Sequence, residues 1–261
     1  MNDLKTRLKD LSLNGVVANW DDYKDQPWLQ RLIEVEELER DRRSLERRIR
    51  EARIGHFKPV SDFDWLWPKH IDREQIDDLF TLNFLDEKAN VVLVGNNGLG
   101  KTMIAQNLAH AAVMRGVKTR FIKASDMLNE LVECDGSSAR RNCLKKFSSV
   151  GLLVLDEIGY MNYDNRFADL LYEVISARYQ KCSTVVTTNK VFDEWKDIFP
   201  NAACVVTLVD RLVHRAETIF IDGESYRHRE AIERKTAKED ERKQRGRKKK
   251  EGDNAQNSGR N

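Results

Sequence analysis

What this chain lacks narrows it first. Its four cysteines, Cys134, Cys143, Cys182 and Cys204, are scattered without C-x-x-C spacing. That excludes a readable zinc site or disulfide framework and points to reduced thiols in a cytosolic setting. No run is long and apolar enough to span a bilayer, and the opening MNDLKTRLKDLSL mixes charges with no apolar core. Neither a membrane span nor a signal peptide is expected, and a soluble cytoplasmic protein is. Charge is not one-sided: 45 Lys+Arg against 43 Asp+Glu give a formal net charge of +2. Affinity for nucleic acid must then come from local clusters of Lys and Arg. Internal repeats are absent.

What is present suits one sizeable core with a smaller appendage in 261 residues. Residues 1–55 are charge-dense, with Pro27 their one proline. From Trp28, the run WLQRLIEVEELERDRRSLERRIREARI sets Leu29, Ile33, Leu38, Leu45, Ile49 and Ala52 along one helical stripe. Acidic residues lead it and arginines close it, as the helix dipole favours. A solvated helix docked on the main domain fits this pattern; so does a partner- or DNA-binding helix displaying Arg42, Arg43, Arg47, Arg48, Arg50 and Arg53. Residues 56–70, HFKPVSDFDWLWPKH, read as an irregular connector. Ile71 to Leu85 reads as a helix capped by Asp72, with Gln75 three residues on.

From Asn90 to about Tyr226, short apolar strands alternate with amphipathic stretches. VVLVG (91–95), TRFIKA (119–124), GLLVLDE (151–157), CSTVVTTN (182–189) and ETIFIDG are the strands. Strands apolar throughout, alternating with helices, predict an α/β fold with a parallel sheet covered on both faces. Beyond about Glu230 the composition collapses into Lys, Arg, Glu, Gln, Gly and Asn, which predicts a disordered basic tail over 230–261. Its RGRKKK block is suited to touching phosphates or to keeping the protein soluble.

The chemistry begins at Gly95-Asn96-Asn97-Gly98-Leu99-Gly100-Lys101-Thr102, a G-x-x-x-x-G-K-[ST] loop with VVLV before it and a helical run after it. Glycines let backbone N–H groups face a phosphate, and the helix N-terminus adds its positive dipole end. Lys101 is expected on the β/γ-phosphates of ATP and the Thr102 hydroxyl on Mg2+. The strand Leu152–Leu155 then delivers Asp156 and Glu157, the first placed for the Mg2+ shell and the second for the attacking water. Thr187-Thr188-Asn189 ends the next strand, and Asn189, with Thr188 second, is the candidate to contact the γ-phosphate or that water. Asp210-Arg211-Leu212 supplies an arginine able to neutralise charge across a subunit boundary, although a surface ion pair is its commoner fate.

With these residues in hand, the chain resembles the IstB-like AAA+ ATPases, helpers of insertion-sequence transposition and relatives of the DnaC-type helicase loaders. The resemblance runs from about Phe63 to Arg229 through LLVLDEIGYMNYD, ISARYQKCSTVVTTNKVFDEW and LVDRLVHRAETIFIDGESYRHR. It implies a P-loop AAA+ domain over 71–229, preceded by a small helical N-terminal domain over 1–55 used for assembly and partner contacts. It further implies a homo-oligomer with ATP between subunits, with Arg211 as the finger reaching a neighbour's site. Family members bind double-stranded DNA without sequence preference, remodel it and present it to a transposase, and hydrolysis controls the assembly. The departures are an asparagine-containing rather than proline-rich P-loop, Arg215 as a competitor for the finger, and no obvious second-sensor arginine beyond the candidates Arg227 and Arg229.

A helicase loader of the DnaC type would carry the same nucleotide site with a protein as main partner. A small-substrate kinase fits less well with the Asp156-Glu157 pair, Asn189 and the candidate finger. For a DNA surface, Arg140, Arg141, Lys145 and Lys146 lie near one another if their segment is helical. A solvated helix face explains them equally.

Overall fold

The computed structural model describes residues 2–134, 136–160, 165–199, 204–236 and 238. The RGRKKK block and the residues after it lie outside the described residues. Helices α1 (Asn2–Asp10), α2 (Asn14–Ala18) and α3 (Trp20–Tyr23) fold against the start of α4 (Leu29–Ala52). Leu8, Leu11, Leu29 and Ile33 form a small core of their own there. Arg7 closes it with a two-pronged pair to Glu37 at 2.8 and 2.6 Å.

The 24 residues of α4 span about 36 Å at the ordinary helical rise. Its far end enters a second core, where Ala52 is buried and Leu45 half-buried. There Arg48 donates to the Val113 carbonyl at 3.3 Å and Arg120 to the Glu51 carbonyl at 3.1 Å. The expected apolar stripe is therefore covered only in part. Leu29, Ile33 and Ala52 are buried, whereas Leu38 is 67% exposed and Ile49 46% exposed, because the helix crosses from one core to the other and its stripe meets each over only part of its length.

The Asp72 cap is present, accepting the Gln75 N–H at 3.0 Å, but the helix expected over 71–85 is broken. It divides into α5 (Arg73–Leu79) and α6 (Asn83–Asp86) around Leu82, whose φ is +62°. The turn lets Leu82, Phe84 and Leu85 join the core together.

The remaining elements are β1 (Asn90–Gly95), α7 (Lys101–Met114), β2 (Thr119–Lys123), α8 (Ala124–Glu133), α9 (Ser137–Ser148), β3 (Leu152–Ile158), α10 (Asn165–Arg178), β4 (Ser183–Thr188), α11 (Trp195–Ile198), α12 (Val205–Val213) and β5 (Ala216–Ile221). All strand pairings within the five-stranded sheet are parallel, in the order β2-β3-β4-β1-β5. Alternate residues point to opposite faces. Val91, Leu93, Val154 and Val185 pack with α7, while Val92, Val94, Leu155 and Val186 pack with α8, α10 and α12. Burial on both sides is why these strands are apolar throughout. This is the α/β, P-loop AAA+ arrangement, with a helical N-terminal region before it. Among the described residues, no helix is long and apolar enough to cross a membrane.

Residues 226–236 are helical although a basic tail was expected from about Glu230, and residues 239–261 lie outside the described residues. Pairs one turn apart, Arg229 with Glu233 at 2.6 Å and Arg234 with Glu230 at 2.8 Å, support a helix that buries little apolar surface.

A buried guanidinium ties the sheet to its helices. Arg178 ends α10 with 1% of its surface exposed. It donates to the carbonyls of Phe147 and Val150, each at 2.8 Å, to the Ser183 carbonyl at 2.5 Å and to the Thr184 hydroxyl at 3.0 Å. The carbonyls at the negative end of α9 face its charge. Burial lowers its pKa, yet an arginine so bonded remains a cation. Arg178→Met is expected to orphan these carbonyls and destabilise the fold by about 3 kcal/mol, with Arg178→Lys intermediate. Urea unfolding measures this; an unchanged midpoint for Arg178→Met would show that the latch contributes nothing.

Candidate nucleotide-binding site

The site lies at the C-terminal ends of β1, β3 and β4, where parallel strands open toward one crevice. The loop after β1 turns through left-handed glycines. A Cβ on Gly98 (φ +79°) would lie 2.2 Å from the Ser225 hydroxyl, and one on Gly100 (φ +87°) 2.3 Å from the Phe63 ring. Neither position tolerates a side chain, so the loop backbone is pressed between residues from both ends of the chain. Helix α7 starts at Lys101, directly behind the loop.

Lys101 is 5% exposed and its ammonium donates to the Gly95 and Asn96 carbonyls at 2.7 and 2.8 Å. Burial brings its pKa down to about 8; the Asp156 carboxylate opposes this and Arg227 adds to it. A desolvated cation beside a glycine-rich loop, at the N-terminus of α7, fits a phosphate.

Thr102 Oγ1 donates to Asp156, 3.0 and 3.2 Å from its two oxygens. Thr187 donates to Asp156 Oδ1 at 2.6 Å and accepts the Glu157 N–H at 2.9 Å. Burial pushes the Asp156 pKa up, against the lowering by these two hydroxyl donors. A hydroxyl and a carboxylate so close are a hard-oxygen donor set suited to Mg2+. Glu157 stands at φ +63°, where the pairing of β3 with β4 shifts register between Leu155 and Ile158. Such strain in a non-glycine residue persists only where surrounding structure enforces it. The Glu157 carboxylate pairs with Lys123 Nζ at 2.8 Å.

A cavity of 480 Å³ opens from the loop, lined by Gly98 to Thr102, Glu157, Tyr160, Tyr226 and Arg227. Its outer wall is the stretch read above as a mere connector: His56, Phe57, Phe63, Trp67 and Pro68. Asn107 of α7 holds this wall, accepting the Val60 N–H at 3.0 Å and donating to the Lys58 carbonyl at 2.9 Å. Its density of aromatics was the signal that could have marked it. The volume and mixed lining are those of a small-molecule site.

The other candidates separate. Asn189 does not line the cavity; it sits behind the turn after β3, its Oδ1 buried without a partner among the described residues and 3.3 Å from a Cβ built on Gly159. Thr188 Oγ1 turns to the Lys190 N–H at 3.1 Å, so Thr187, passed over in the sequence, makes the contact with Asp156. Arg211 lies away from the cavity, over Tyr172 and Tyr179 at 5.0 and 5.7 Å. Arg215 has an exposed side chain. Of the two second-sensor candidates, Arg227 lines the cavity, while Arg229 covers Trp67 at 4.5 Å and pairs with Asp64 at 3.5 Å. On α9, Arg140 pairs with Glu173 at 3.6 Å and Lys146 with Glu130, so half of that basic cluster is neutralised.

Known proteins are similar to this chain in sequence and in fold. A family model described as IstB-like ATP binding protein matches residues 2–234. The ATP-binding protein named for insertion sequence IS5376 of Geobacillus stearothermophilus is 35% identical over 203 residues, 78% of this chain and 81% of that protein. Its counterpart named for IS232 of Bacillus thuringiensis is 31% identical over 225 residues, 85% and 90% of the two chains. Among solved structures, DnaI superposes with a TM-score of 0.51 at 19% identity, covering 64% of this chain and 89% of that one. AMPPCP-bound DnaA from Aquifex aeolicus gives 0.50 at 15%, covering 68% and 56%. The structural likenesses bear on fold alone; the family model and the sequence relatives go further, and the chain belongs to the IstB-like ATP-binding proteins of insertion sequences.

Proposed function

We propose that this chain is a Mg2+-dependent ATPase that assembles with further copies of itself on duplex DNA, without sequence preference, and delivers that DNA to a transposase. Hydrolysis controls the lifetime of the assembly. The observation that carries the reading is the convergence of a buried Lys101, Thr102, Asp156 and Glu157 on one loop, while Arg211 stands outside its own cavity. A neighbouring copy would supply that charge. The transposition setting is supported by relatives named for insertion sequences.

In this reading the backbone from Gly95 to Gly100 cradles the phosphates, with Asn96, Asn97, Gly98 and Leu99 between, and Lys101 faces the β/γ-phosphates. Thr102 and Asp156 hold the Mg2+, which when bound neutralises charge on the phosphate oxygens. Glu157 orients the attacking water and accepts its proton once the Lys123 pair parts. Asn189, off the cavity behind the turn after β3, is given no contact with the nucleotide. Thr187 keeps Asp156 and Glu157 in register through one hydroxyl. Arg211 acts on the neighbour's site, with Arg215 as the alternative donor. The domain limits follow: 1–55 for assembly and partner contacts, 56–70 as linker and cavity wall, 71–229 as the ATPase unit, and the basic segment from 230 onward.

Lys101→Ala is expected to weaken ATP binding about a hundredfold and to abolish assembly on DNA. Glu157→Gln is expected to bind ATP normally, lose about a hundredfold or more in turnover and accumulate long-lived DNA complexes. Normal turnover would remove Glu157 from its role. Thr187→Val keeps the side-chain volume and loses the hydroxyl; turnover should fall about tenfold with ATP affinity within about twofold. An unchanged rate would show that the hydroxyl only fills space.

DNA binding is measured by fluorescence anisotropy on an unrelated duplex, with ATP, ADP or no nucleotide, at two salt concentrations. Tight, ATP-dependent, salt-sensitive binding is the expected result. No binding in any state would overturn the DNA reading, leave the ATPase standing and point to a protein as main partner, as in a helicase loader.

A further inference from the structure

The sequence motif Arg178-Tyr179 is only half explained by the buried latch, because Tyr179 points elsewhere. Tyr172 of α10 and Tyr179, the residue just past the end of that helix, stand seven residues apart, and the Arg211 guanidinium of α12 lies over both rings, 5.0 and 5.7 Å from their centres. The Tyr179 hydroxyl shares a 3.0 Å hydrogen bond with His214 Nδ1, just past the end of α12. That bond fixes the second ring relative to the helix that carries the arginine. None of the ion pairs among the described residues involves Arg211. Its charge is thus held by π faces, which steady a guanidinium without consuming it as a carboxylate would.

We propose that Tyr172 and Tyr179 are positioning residues that hold Arg211 unpaired and extended for use in a neighbouring copy's nucleotide site. The inference rests on Arg211 being the trans-acting arginine. A long side chain left free must lose its rotamer freedom at each encounter with a phosphate; one already confined between two rings has lost it beforehand. The rings therefore act on turnover and not on the binding of ATP to the subunit that carries them.

The test uses the full chain with Mg2+ and ATP at high protein concentration and an unrelated duplex. The Tyr172→Leu/Tyr179→Leu double variant is expected to lose about tenfold in kcat, with KM and binding of a fluorescent ATP analogue unchanged. Tyr172→Phe and Tyr179→Phe, which keep the rings, should retain most of the rate, and this guards against a loss that is merely structural. Mixing the double variant with Glu157→Gln, which binds ATP and assembles without turning it over and whose Arg211 is intact, should restore hydrolysis, as it should for Arg211→Ala.

Full kcat in the double variant, alongside a dead Arg211→Ala, would overturn the positioning role and leave the finger in place. Rescue of Arg211→Ala but not of the double variant would assign the defect to the variant's own site, which also overturns it. Full activity in Arg211→Ala would overturn the finger reading itself, and the cradle with it.

Discussion

Everything at the site hangs on the buried carboxylate of Asp156. Taking a carboxylate out of water is expensive unless donors surround it, and here the donors come from Thr102 on α7 and Thr187 on β4. One charge thus sets the relative position of the P-loop helix and two neighbouring strands. Thr187 extends the constraint one residue further by taking the Glu157 N–H. Because that N–H is held by a side chain, Glu157 can leave the regular ladder. The register shift and the left-handed backbone at Glu157 follow from the same hydroxyl.

A local pattern made much of this legible. Five segments read as strands are the five strands; central β1, β3 and β4 are buried on both faces, while the edge strands β2 and β5 are partly exposed. The phosphate loop was readable because its glycines, lysine and threonine are adjacent in sequence and each is needed for a separate physical reason. The Asp72 cap was readable for the same reason: donor and acceptor are three residues apart.

The rest was hidden because its partners are far apart in sequence. Phe63 lies against Gly100 and Ser225 against Gly98; nothing within either segment announces the other. Thr187 looked like the strand interior it is, and only the fold brings Asp156 opposite it. On α4, a clean helical stripe over-stated burial, because periodicity reports which residues share a face and not whether anything covers that face. Leu38 and Ile49 share the face of Ile33 and Ala52 in pattern but not in packing. The helix over 226–236 was concealed by its charge, since it is supported by ion pairs one turn apart and by the aromatic contact of Tyr226 with Trp67, where composition alone reads as a tail.

Both flanks of the α/β unit end on the loop itself. The stretch after α4 lines the cavity and is bracketed to α7 by Asn107. The chain after β5 returns through an antiparallel bridge of Asp222 to His70, and the Trp67 indole donates to the Glu224 carbonyl at 2.8 Å. The loop and α7 are therefore tied to the rest of the chain on two sides. One leads into α4, whose middle carries uncovered apolar residues; the other leads into the 226–236 helix that carries Arg227. Arg211 belongs to neither, because α12 packs on α10 on the opposite face of the sheet from α7. A single copy thus gathers Lys101, Thr102, Asp156 and Glu157 on one side of the sheet's open end and holds the Arg211 guanidinium elsewhere. In the function proposed above, that separation gains its use when copies stand side by side.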